Sequence, residues 1–304
     1  MRAILSTVLR ELAREPDFVF LTGDLGFMAL EPVRQAAGER FINAGVAEQN
    51  MVTVAAGLAR SGFQPWVYSI APFLYARPFE QIRNDVCLHN LPVFLVGNGG
   101  GYAYGVMGAT HHALEDYGAL LTLPNLTAHV PAFAEDVAPA ISRIRAAGRP
   151  AYLRLGRDEK PKELQLPAYA PWRNVLRGGG PVLVIVGPLA GSLLQMLRAK
   201  PEEKRPSVWV VTELPVRAES LPPRFLEELR TRDHLFVVEE HVAQGGAAQM
   251  LALALLQRGA VPRRFSHRCA NGYPSGHYGS QIYHRKECGL DPESIAAALL
   301  DDVR

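Results

Sequence analysis

The stretch FINAGVAEQNMVTVAAGLARSG, from Phe41 to Gly62, joins a short apolar run to an amphipathic segment and carries one carboxylate, Glu48, near the junction. Phe41 and Ile42 predict the end of a buried strand, Gly45 permits a turn, and apolar residues recur at helical spacing after Glu48. Glu48 would then lie in the first turn of the helix, where the helix dipole favours a negative charge. Burying that charge is costly unless a partner meets it, so its partner is the first question about function.

The same alternation of short β-rich runs and amphipathic segments continues along the chain. In the first half the predicted strands are PDFVFLTG, RFINAG, PWVYSI, PVFLVG, LTAHV and PAYLRL. The predicted helices are Arg2 to Arg14, Glu48 to Arg60 (with Met51, Val54, Ala55 and Leu58 on one face), Phe73 to Leu88, His112 to Leu121 and Ala134 to Ala147. The second half continues with PVLVIVG, SVWVVTEL and HLFVVEEH as strands and QGGAAQMLALALLQRG as a helix. This order predicts an α/β fold with mainly parallel sheets flanked by helices.

The periodicity lapses between Gly156 and Gly180, where GRDEKPKELQLPAYAPWRNVLRGGG is rich in charge, Pro and Gly. We interpret residues 157–180 as a linker between a first domain over 1–156 and a second domain over 181–304. A length of 304 residues agrees with two domains, each large enough for its own core.

The composition excludes several classes of protein. Hydrophobic residues make up 48% of the chain and charged residues 20%, as is ordinary for a globular enzyme. The net charge of +2 gives no reason to expect a nucleic-acid or anionic-membrane partner. The three cysteines have no metal-ligand spacing, and no apolar run approaches the roughly 20 residues of a membrane span. We therefore expect a soluble, cytoplasmic enzyme.

Several motifs together resemble one enzyme family. G-V-A-E-Q-N after a strand resembles the signature around the catalytic glutamate of the transketolase family of thiamine diphosphate enzymes. LTGDLG, YSIAPFLYARPFEQIRND and GATHHALEDYGALLTLPN are similar to the pyrimidine-binding domain of transketolases and deoxyxylulose-phosphate synthases. VVEEHVAQGG and YPSGHYGSQIYHRKECGLD look like the C-terminal domain of the same family. The resemblance covers nearly the whole chain, so it implies a pyrimidine-binding domain followed by a transketolase C-terminal domain.

The resemblance implies that the partner of Glu48 is the cofactor and not a side chain of this protein. In the family, the matching glutamate hydrogen-bonds the ring nitrogen N1′ of the aminopyrimidine and favours its imino tautomer. The imino nitrogen can then take the proton from thiazolium C2, which gives the nucleophilic ylide. From the residues alone, a first-turn glutamate with its carboxylate in water stays an alternative.

Three more residues match cofactor contacts of the family. Phe73 matches the aromatic residue that stacks on the aminopyrimidine, and Phe79 lies close to it in sequence. Core packing is the alternative for both phenylalanines. Asp24 matches an aspartate near the cofactor, and its alternative is a loop or cap residue after the strand.

Further matches lie at the substrate end of the family's site. His111 matches a histidine that can donate a hydrogen bond to a developing oxyanion or shuttle a proton, while His112 is interpreted as packing at a helix start. Arg77 matches an arginine that holds the substrate phosphate in deoxyxylulose-phosphate synthases, with a surface ion pair to Glu80 as its alternative. Met107 stands where sugar-phosphate transketolases have an aspartate.

Other substrate positions depart from the family pattern. Gly99 replaces a histidine, and Val130 and Leu121 stand where the family has arginines. Neutral residues cannot replace charge-assisted bonds to a phosphate, so we predict a modified or unphosphorylated sugar or ketone as the acceptor. The glycine run GNGGGYAYG lacks a phosphate-loop pattern, and we interpret it as a close approach of the backbone to a ligand or subunit.

The chain has no GDG motif, with which the family binds Mg²⁺ and through it the cofactor's diphosphate. We therefore predict no metal ligands on this chain and a separate diphosphate-binding subunit that supplies them, in an α2β2 heterotetramer. Activity would require that subunit, and the reaction would transfer a two-carbon ketol unit between ketose- and aldose-like substrates. Alternatives are a decarboxylative deoxyxylulose-phosphate-synthase-like reaction, an E1 β-type subunit of a 2-oxoacid dehydrogenase, and a non-enzymatic scaffold or regulator.

Overall fold

The computed structural model describes residues 1–26, 28–157, 160, 163–232 and 234–301. Residues 158–159 and 161–162 of the predicted linker, and residues 233 and 302–304 of the predicted second domain, lie outside the described residues. None of the helices in this part of the chain is both long enough and apolar enough to span a bilayer.

The strands of the described residues, in chain order, are β1 (Phe18–Thr22), β2 (Phe41–Asn43), β3 (Gln64–Ile70), β4 (Phe94–Asn98), β5 (Thr127–His129), β6 (Ala151–Leu155), β7 (Trp172–Leu176), β8 (Val182–Val186), β9 (Ser207–Val211), β10 (Glu213–Leu214), β11 (His234–Glu239) and β12 (Arg264–Arg268). They form two sheets. The seven-stranded sheet has the order β10–β5–β6–β4–β3–β1–β2, and the five-stranded sheet has the order β12–β11–β8–β9–β7.

The α-helices, in chain order, are α1 (Arg2–Leu12), α2 (Glu31–Ala37), α3 (Glu48–Arg60), α4 (Ala71–Tyr75), α5 (Phe79–Gln81), α6 (Asp116–Leu120), α7 (Val137–Ala147), α8 (Ala190–Arg198), α9 (Pro223–Thr231), α10 (Ala247–Gln257), α11 (Gln281–Glu287) and α12 (Pro292–Asp301). A π-helical turn, Ile82–Cys87, follows α5.

Both sheets are mainly parallel. Only two described strand pairs are antiparallel, β10 with β5 and β7 with β9, and each lies at one edge of its sheet. Strands such as β1, β6 and β8 are buried along their whole length, as parallel strands covered by helices on both faces should be. The predicted α/β fold class is therefore confirmed.

The two sheets share part of their hydrophobic core. One cluster of buried residues contains Val19 and Leu21 of β1 together with Val182 and Val184 of β8. In addition, β10 comes from the second half of the sequence but pairs with β5 of the first sheet. The two halves of the chain are therefore packed together through apolar side chains as well as backbone hydrogen bonds.

The predicted linker contains a strand that the sequence analysis missed. Trp172–Leu176 forms β7, which pairs with β9 at the edge of the second sheet. Arg173 made the segment look exposed, but its guanidinium is buried and its Nη2 lies 2.7 Å from an Asp136 carboxylate oxygen. A buried charge is tolerated here because it is paired. The domain boundaries at residues 156 and 181 remain predictions.

The predicted helix from Phe73 to Leu88 is broken in its first half. Helix α4 ends at Tyr75 and α5 begins at Phe79, with Pro78 between them. Proline has no N–H to donate, and its ring crowds the carbonyl four residues earlier in a helix. The break leaves Arg77 in a turn, from which its side chain reaches another part of the site.

Two other helices differ from their predictions. Helix α6 begins at Asp116 and not at His112, because Ala113 is engaged in a backbone bridge to Gly101 in the glycine run. Helix α3 begins at Glu48 as predicted, and Met51 and Ala55 are buried. Val54, predicted on the same face, is 40% exposed, and Val52 is buried in its place.

Candidate functional site

The predicted site residues follow neighbouring strands of the first sheet. Asp24 follows β1, Gly45 and Glu48 follow β2, and α4 follows β3, and these three strands are adjacent in the order β3–β1–β2. Because parallel strands end at the same edge of a sheet, the segments that follow them lie side by side. This carboxyl edge is where open α/β sheets bind ligands.

Glu48 is a buried carboxylate with a partner in this chain. Its side chain is 6% exposed, and its Oε1 accepts a hydrogen bond of 2.7 Å from Nη1 of Arg77. The alternative that places the carboxylate in water is therefore wrong. The prediction that no side chain of this protein would meet Glu48 is also wrong, because the break at Pro78 turns Arg77 towards α3.

Arg77 connects Glu48 to the aromatic part of the site. Its guanidinium carbon lies 3.9 Å from the centre of the Phe73 ring, and its side chain is 44% exposed. A planar cation over an aromatic face is held by the ring quadrupole. Arg77 therefore forms its described ion pair with Glu48 and not, as the alternative had it, with Glu80.

His111 extends this row of contacts. Its ring centre lies 5.2 Å from that of Phe73 in an edge-on arrangement, and 5.9 Å from that of Tyr104. Its Nδ1 lies 2.9 Å from the Thr110 hydroxyl. Glu48, Arg77, Phe73 and His111 therefore form one continuous row. Sequence reasoning missed Tyr104, although an aromatic residue within a glycine run is a visible signal.

His112 points away from this row and packs in the interior. Its Nε2 lies 2.8 Å from the carbonyl oxygen of Gly105, and its Nδ1 lies 2.9 Å from the hydroxyl of Tyr273. Burial lowers the pKa of His112 to about 4, so the ring is neutral at physiological pH. Both nitrogens of His112 make hydrogen bonds, so the ring packs in the interior as predicted. The predicted position at a helix start is wrong, because α6 begins only at Asp116.

Asp24 and its neighbours shape the turn that leads to Glu48. The Asp24 carboxylate accepts a hydrogen bond of 3.1 Å from the Asn43 amide, and its backbone N–H donates to the carbonyl of Gly45. The Asn43 oxygen in turn accepts from the N–H of Gly45, which has a φ of 67°. This left-handed conformation favours glycine. These contacts match the loop interpretation of Asp24, and its contact with a cofactor stays a prediction.

Phe79 and Met107 lie at the margins of the site. Phe79 is half-buried and packs against the main hydrophobic core, which matches the packing alternative. Met107 ends a short 3-10 turn and is 54% exposed, and Val106 before it is 72% exposed. The contacts of both predicted residues with cofactor or substrate stay predictions.

The glycine run makes room for side chains of this chain. A Cβ atom at Gly99, Gly100 or Gly101 would collide with Tyr104, Arg154 or Glu240, respectively. A close approach of the glycine backbone is therefore found, and the partners described for it are side chains of this chain. An approach to a ligand or another subunit stays a prediction. Because glycine has no Cβ, the backbone of the loop after β4 can pack directly against these three side chains.

The first half of the chain matches a known protein family. Residues 1–162 match the family described as transketolase, pyrimidine binding domain. The chain belongs to the transketolase family. The resemblance predicted from the motifs is confirmed, and the matched segment contains every residue of the row from Glu48 to His111.

Relatives from this family resemble the chain along most of its length. The chain is 31% identical to one of the subunits of apulose-4-phosphate transketolase from Actinobacillus succinogenes, over 84% of this chain and 83% of that protein. It is 33% identical to 1-deoxy-D-xylulose-5-phosphate synthase from Magnetococcus marinus, over 86% of this chain but only 42% of that protein. Among solved structures, a split-gene transketolase in the form of an inactive beta4 tetramer aligns with a TM-score of 0.80 and 28% identity, over 99% of this chain and 96% of that one.

Two of the positions that depart from the transketolase pattern, Gly99 and Val130, directly follow strands of the first sheet. Val130 is fully buried after β5, and Leu121 is half-buried after α6. Gly99 is covered by the Tyr104 ring. These three positions therefore present no cation to a ligand.

The residues that are present suit a flat ligand that offers N–H donors. The buried Glu48 carboxylate already binds a planar N–H donor, and the Phe73 ring already stacks on it. Within the described residues, no group of three or more His, Cys, Asp or Glu side chains is arranged to hold a metal ion.

A cavity of about 600 Å³ lined by Trp172, Trp209 and others lies beside β7, away from this row.

Proposed function

We propose that this chain is the cofactor-activating subunit of a split, thiamine diphosphate-dependent transketolase that transfers a two-carbon ketol unit. The observation that carries the proposal is the buried Glu48 carboxylate at the carboxyl edge of the sheet, in one row with Phe73 and His111. Similarity to a transketolase subunit over most of both chains supports the role of a subunit.

In this proposal Glu48 holds a proton at N1′ of the aminopyrimidine. Because its side chain is only 6% exposed, water competes little for that hydrogen bond, which strengthens it. When bound, thiamine diphosphate supplies the nucleophilic carbon that carries the two-carbon unit. Phe73 offers its ring face to the aminopyrimidine, Phe79 supports this wall from the core, and Asp24 lies close to the cofactor.

His111 acts at the substrate end of the row. Nδ1 lies 2.9 Å from the Thr110 hydroxyl, so in this proposal Nε2 is the nitrogen that contacts substrate. From there it donates a hydrogen bond to a developing oxyanion or moves a proton. The neighbouring rings of Phe73 and Tyr104 restrict the orientation of the imidazole.

The acceptor in this proposal is a modified or unphosphorylated sugar or ketone. Gly99, Leu121 and Val130 are neutral, and Met107 brings an apolar side chain where the family has an aspartate. The similar proteins act, by their names, on phosphorylated compounds, so the substrate end is where this chain would differ from them. Ribose 5-phosphate as the best acceptor in a substrate screen would contradict this part of the proposal.

The diphosphate and its Mg²⁺ belong, in this proposal, to a separate subunit in an α2β2 assembly in the cytoplasm. The sequence lacks the GDG motif. The similar split-gene transketolase is an inactive tetramer of β chains, which supports self-association and inactivity without a partner.

A decarboxylative reaction of the deoxyxylulose-phosphate-synthase type is the second candidate. The 33% identity to such a synthase favours it over an E1 β-type subunit or a scaffold. Release of carbon dioxide during turnover would distinguish it from transfer of a ketol unit.

Deuterium exchange at C2 of thiamine diphosphate tests the role of Glu48 without knowledge of the acceptor. In the complex with the diphosphate-binding subunit, Glu48→Gln should slow the exchange by about 100- to 10,000-fold, the usual contribution of a positioned acid or base. Glu80→Gln, an exposed carboxylate two residues after Pro78, is the matched control and should leave the rate unchanged. Unchanged exchange in Glu48→Gln would refute the proposed role.

A further inference from the structure

The contacts of Arg77 point to a function that the substrate-phosphate interpretation does not contain. We propose that Arg77 competes with the aminopyrimidine for Glu48 and Phe73, and that cofactor binding displaces its guanidinium. The guanidinium donates to the Glu48 carboxylate at 2.7 Å and lies 3.9 Å from the Phe73 ring centre. This inference rests on the proposed function, which assigns the same two groups to the cofactor.

The competition follows from the shape and chemistry of the two groups. A guanidinium is planar, stacks on aromatic faces and directs N–H donors within its own plane. An aminopyrimidine is also planar, stacks in the same way, and meets a carboxylate within the plane of its ring. One carboxylate oxygen and one ring face cannot hold both groups at close contact. Arg77 and the cofactor ring are therefore alternative partners.

The exposure of the two side chains shows which of them can leave. Glu48 is 6% exposed and Arg77 is 44% exposed, so Arg77 can swing into water while Glu48 cannot. An isolated buried carboxylate is unfavourable, and Arg77 removes that cost until another partner arrives. Arg77 lies directly before Pro78, between α4 and α5, so its side chain can move without unwinding a helix.

The pair should lower the apparent affinity of the site for its cofactor. The observed dissociation constant equals the intrinsic constant divided by the fraction of molecules in which Arg77 has left Glu48. A variant that lacks the guanidinium should therefore bind the cofactor more tightly. It should also be less stable without the cofactor, because Glu48 then has no partner. A purely structural arginine would lower stability without raising affinity.

Calorimetric titration of thiamine diphosphate with Mg²⁺ into the complex of both subunits tests the inference. Arg77→Met should lower the dissociation constant by about three- to tenfold, since the displaced pair is partly exposed and of modest strength. Arg83→Met removes a nearby exposed arginine that bonds Asn84, and it should bind as the wild type does. An unchanged or weaker affinity in Arg77→Met would overturn the inference.

A structural measurement on the wild type covers the case in which Arg77→Met does not fold. Crystal structures of the complex with and without thiamine diphosphate should show the guanidinium beside Glu48 only in the cofactor-free state. A guanidinium that stays within hydrogen-bond distance of Glu48 in the loaded complex would overturn the inference. Failure of the wild-type complex to bind the cofactor at all would instead overturn the proposed function.

Discussion

Buried carboxylates follow or end strands in both sheets of this molecule, and the two sheets differ in the hydrogen bonds that these carboxylates accept. Glu48 follows β2 in the first sheet, and its described side-chain hydrogen bond is the single one from the half-exposed Arg77. Glu239 ends β11 in the second sheet, and Glu240 follows it. Both of these are buried, and each is bonded several times by groups that are themselves fixed in the fold.

The bonds to Glu239 and Glu240 come from several elements. Glu239 accepts from the Tyr117 hydroxyl, the backbone N–H groups of Ala247 and Ala248, and, at 2.9 Å, the His267 ring. Glu240 accepts from the Tyr102 N–H, Gln281 Nε2 and the Arg285 guanidinium, with Arg285 Nη2 at 2.7 Å. The hydrogen bonds to Glu240 therefore connect the glycine run of the first half to α11 of the second half.

This difference separates a structural carboxylate from one available to a ligand. Burial alone would raise the pKa of Glu240, but the Arg285 charge and the hydrogen bonds outweigh it and hold the pKa below its ordinary value. Exchanging any of these partners would require two packed elements to separate. Glu48 can exchange its partner by the movement of one long side chain. A buried charge whose one described partner is exposed is therefore the better indicator of a binding site.

The largest expected effect on folding comes from Glu240. Glu240→Gln should lower the free energy of unfolding by about 3–5 kcal/mol, because it breaks the buried ion pair between Glu240 and Arg285. Glu48→Gln should change it by less than about 1 kcal/mol, since Arg77 can turn into water. Urea unfolding of both variants beside the wild type measures the contrast. Equal losses would mean that the two carboxylates do not differ as described.

A smaller effect is expected in how steeply the free energy of unfolding falls at acidic pH. Because the folded-state pKa of Glu240 is lowered, its contribution to stability is complete above its unfolded pKa, near 4.5, and is lost as the pH falls through the folded value. Below pH 4.5 the wild type should therefore lose up to about 1.4 kcal/mol per pH unit more than Glu240→Gln does. Unfolding free energies measured at several pH values give this slope. Parallel curves for the two proteins would contradict the lowered pKa.

The fold could be predicted from the sequence because most of its strands are buried on both faces. Runs such as PVLVIVG and PVFLVG are apolar without interruption, and each contains most or all of a strand. The edge strands β7 and β12 were missed, since WRNVL and RFSHR mix charged with apolar residues. At an edge, one side of a strand lacks a neighbour, so the pattern of burial becomes irregular.

The candidate site could be predicted only as a set of residue types and positions. The motif around Glu48 indicated the helix start, and the family pattern pointed to Phe73 and His111, which the structure brings into one row. The Arg77 contact could not be predicted, because it depends on how α3 approaches the turn before Pro78. That approach is set by packing between segments distant in sequence, which local periodicity does not encode.

In the proposed function, this chain supplies the activating glutamate but needs a second subunit for the diphosphate and its metal. The most direct test is calorimetric titration of thiamine diphosphate with Mg²⁺, first into this chain alone and then into its mixture with the candidate diphosphate-binding subunit. We expect measurable binding only in the mixture. Tight binding to the isolated chain would contradict this expectation, because a complete diphosphate site would then lie within these 304 residues.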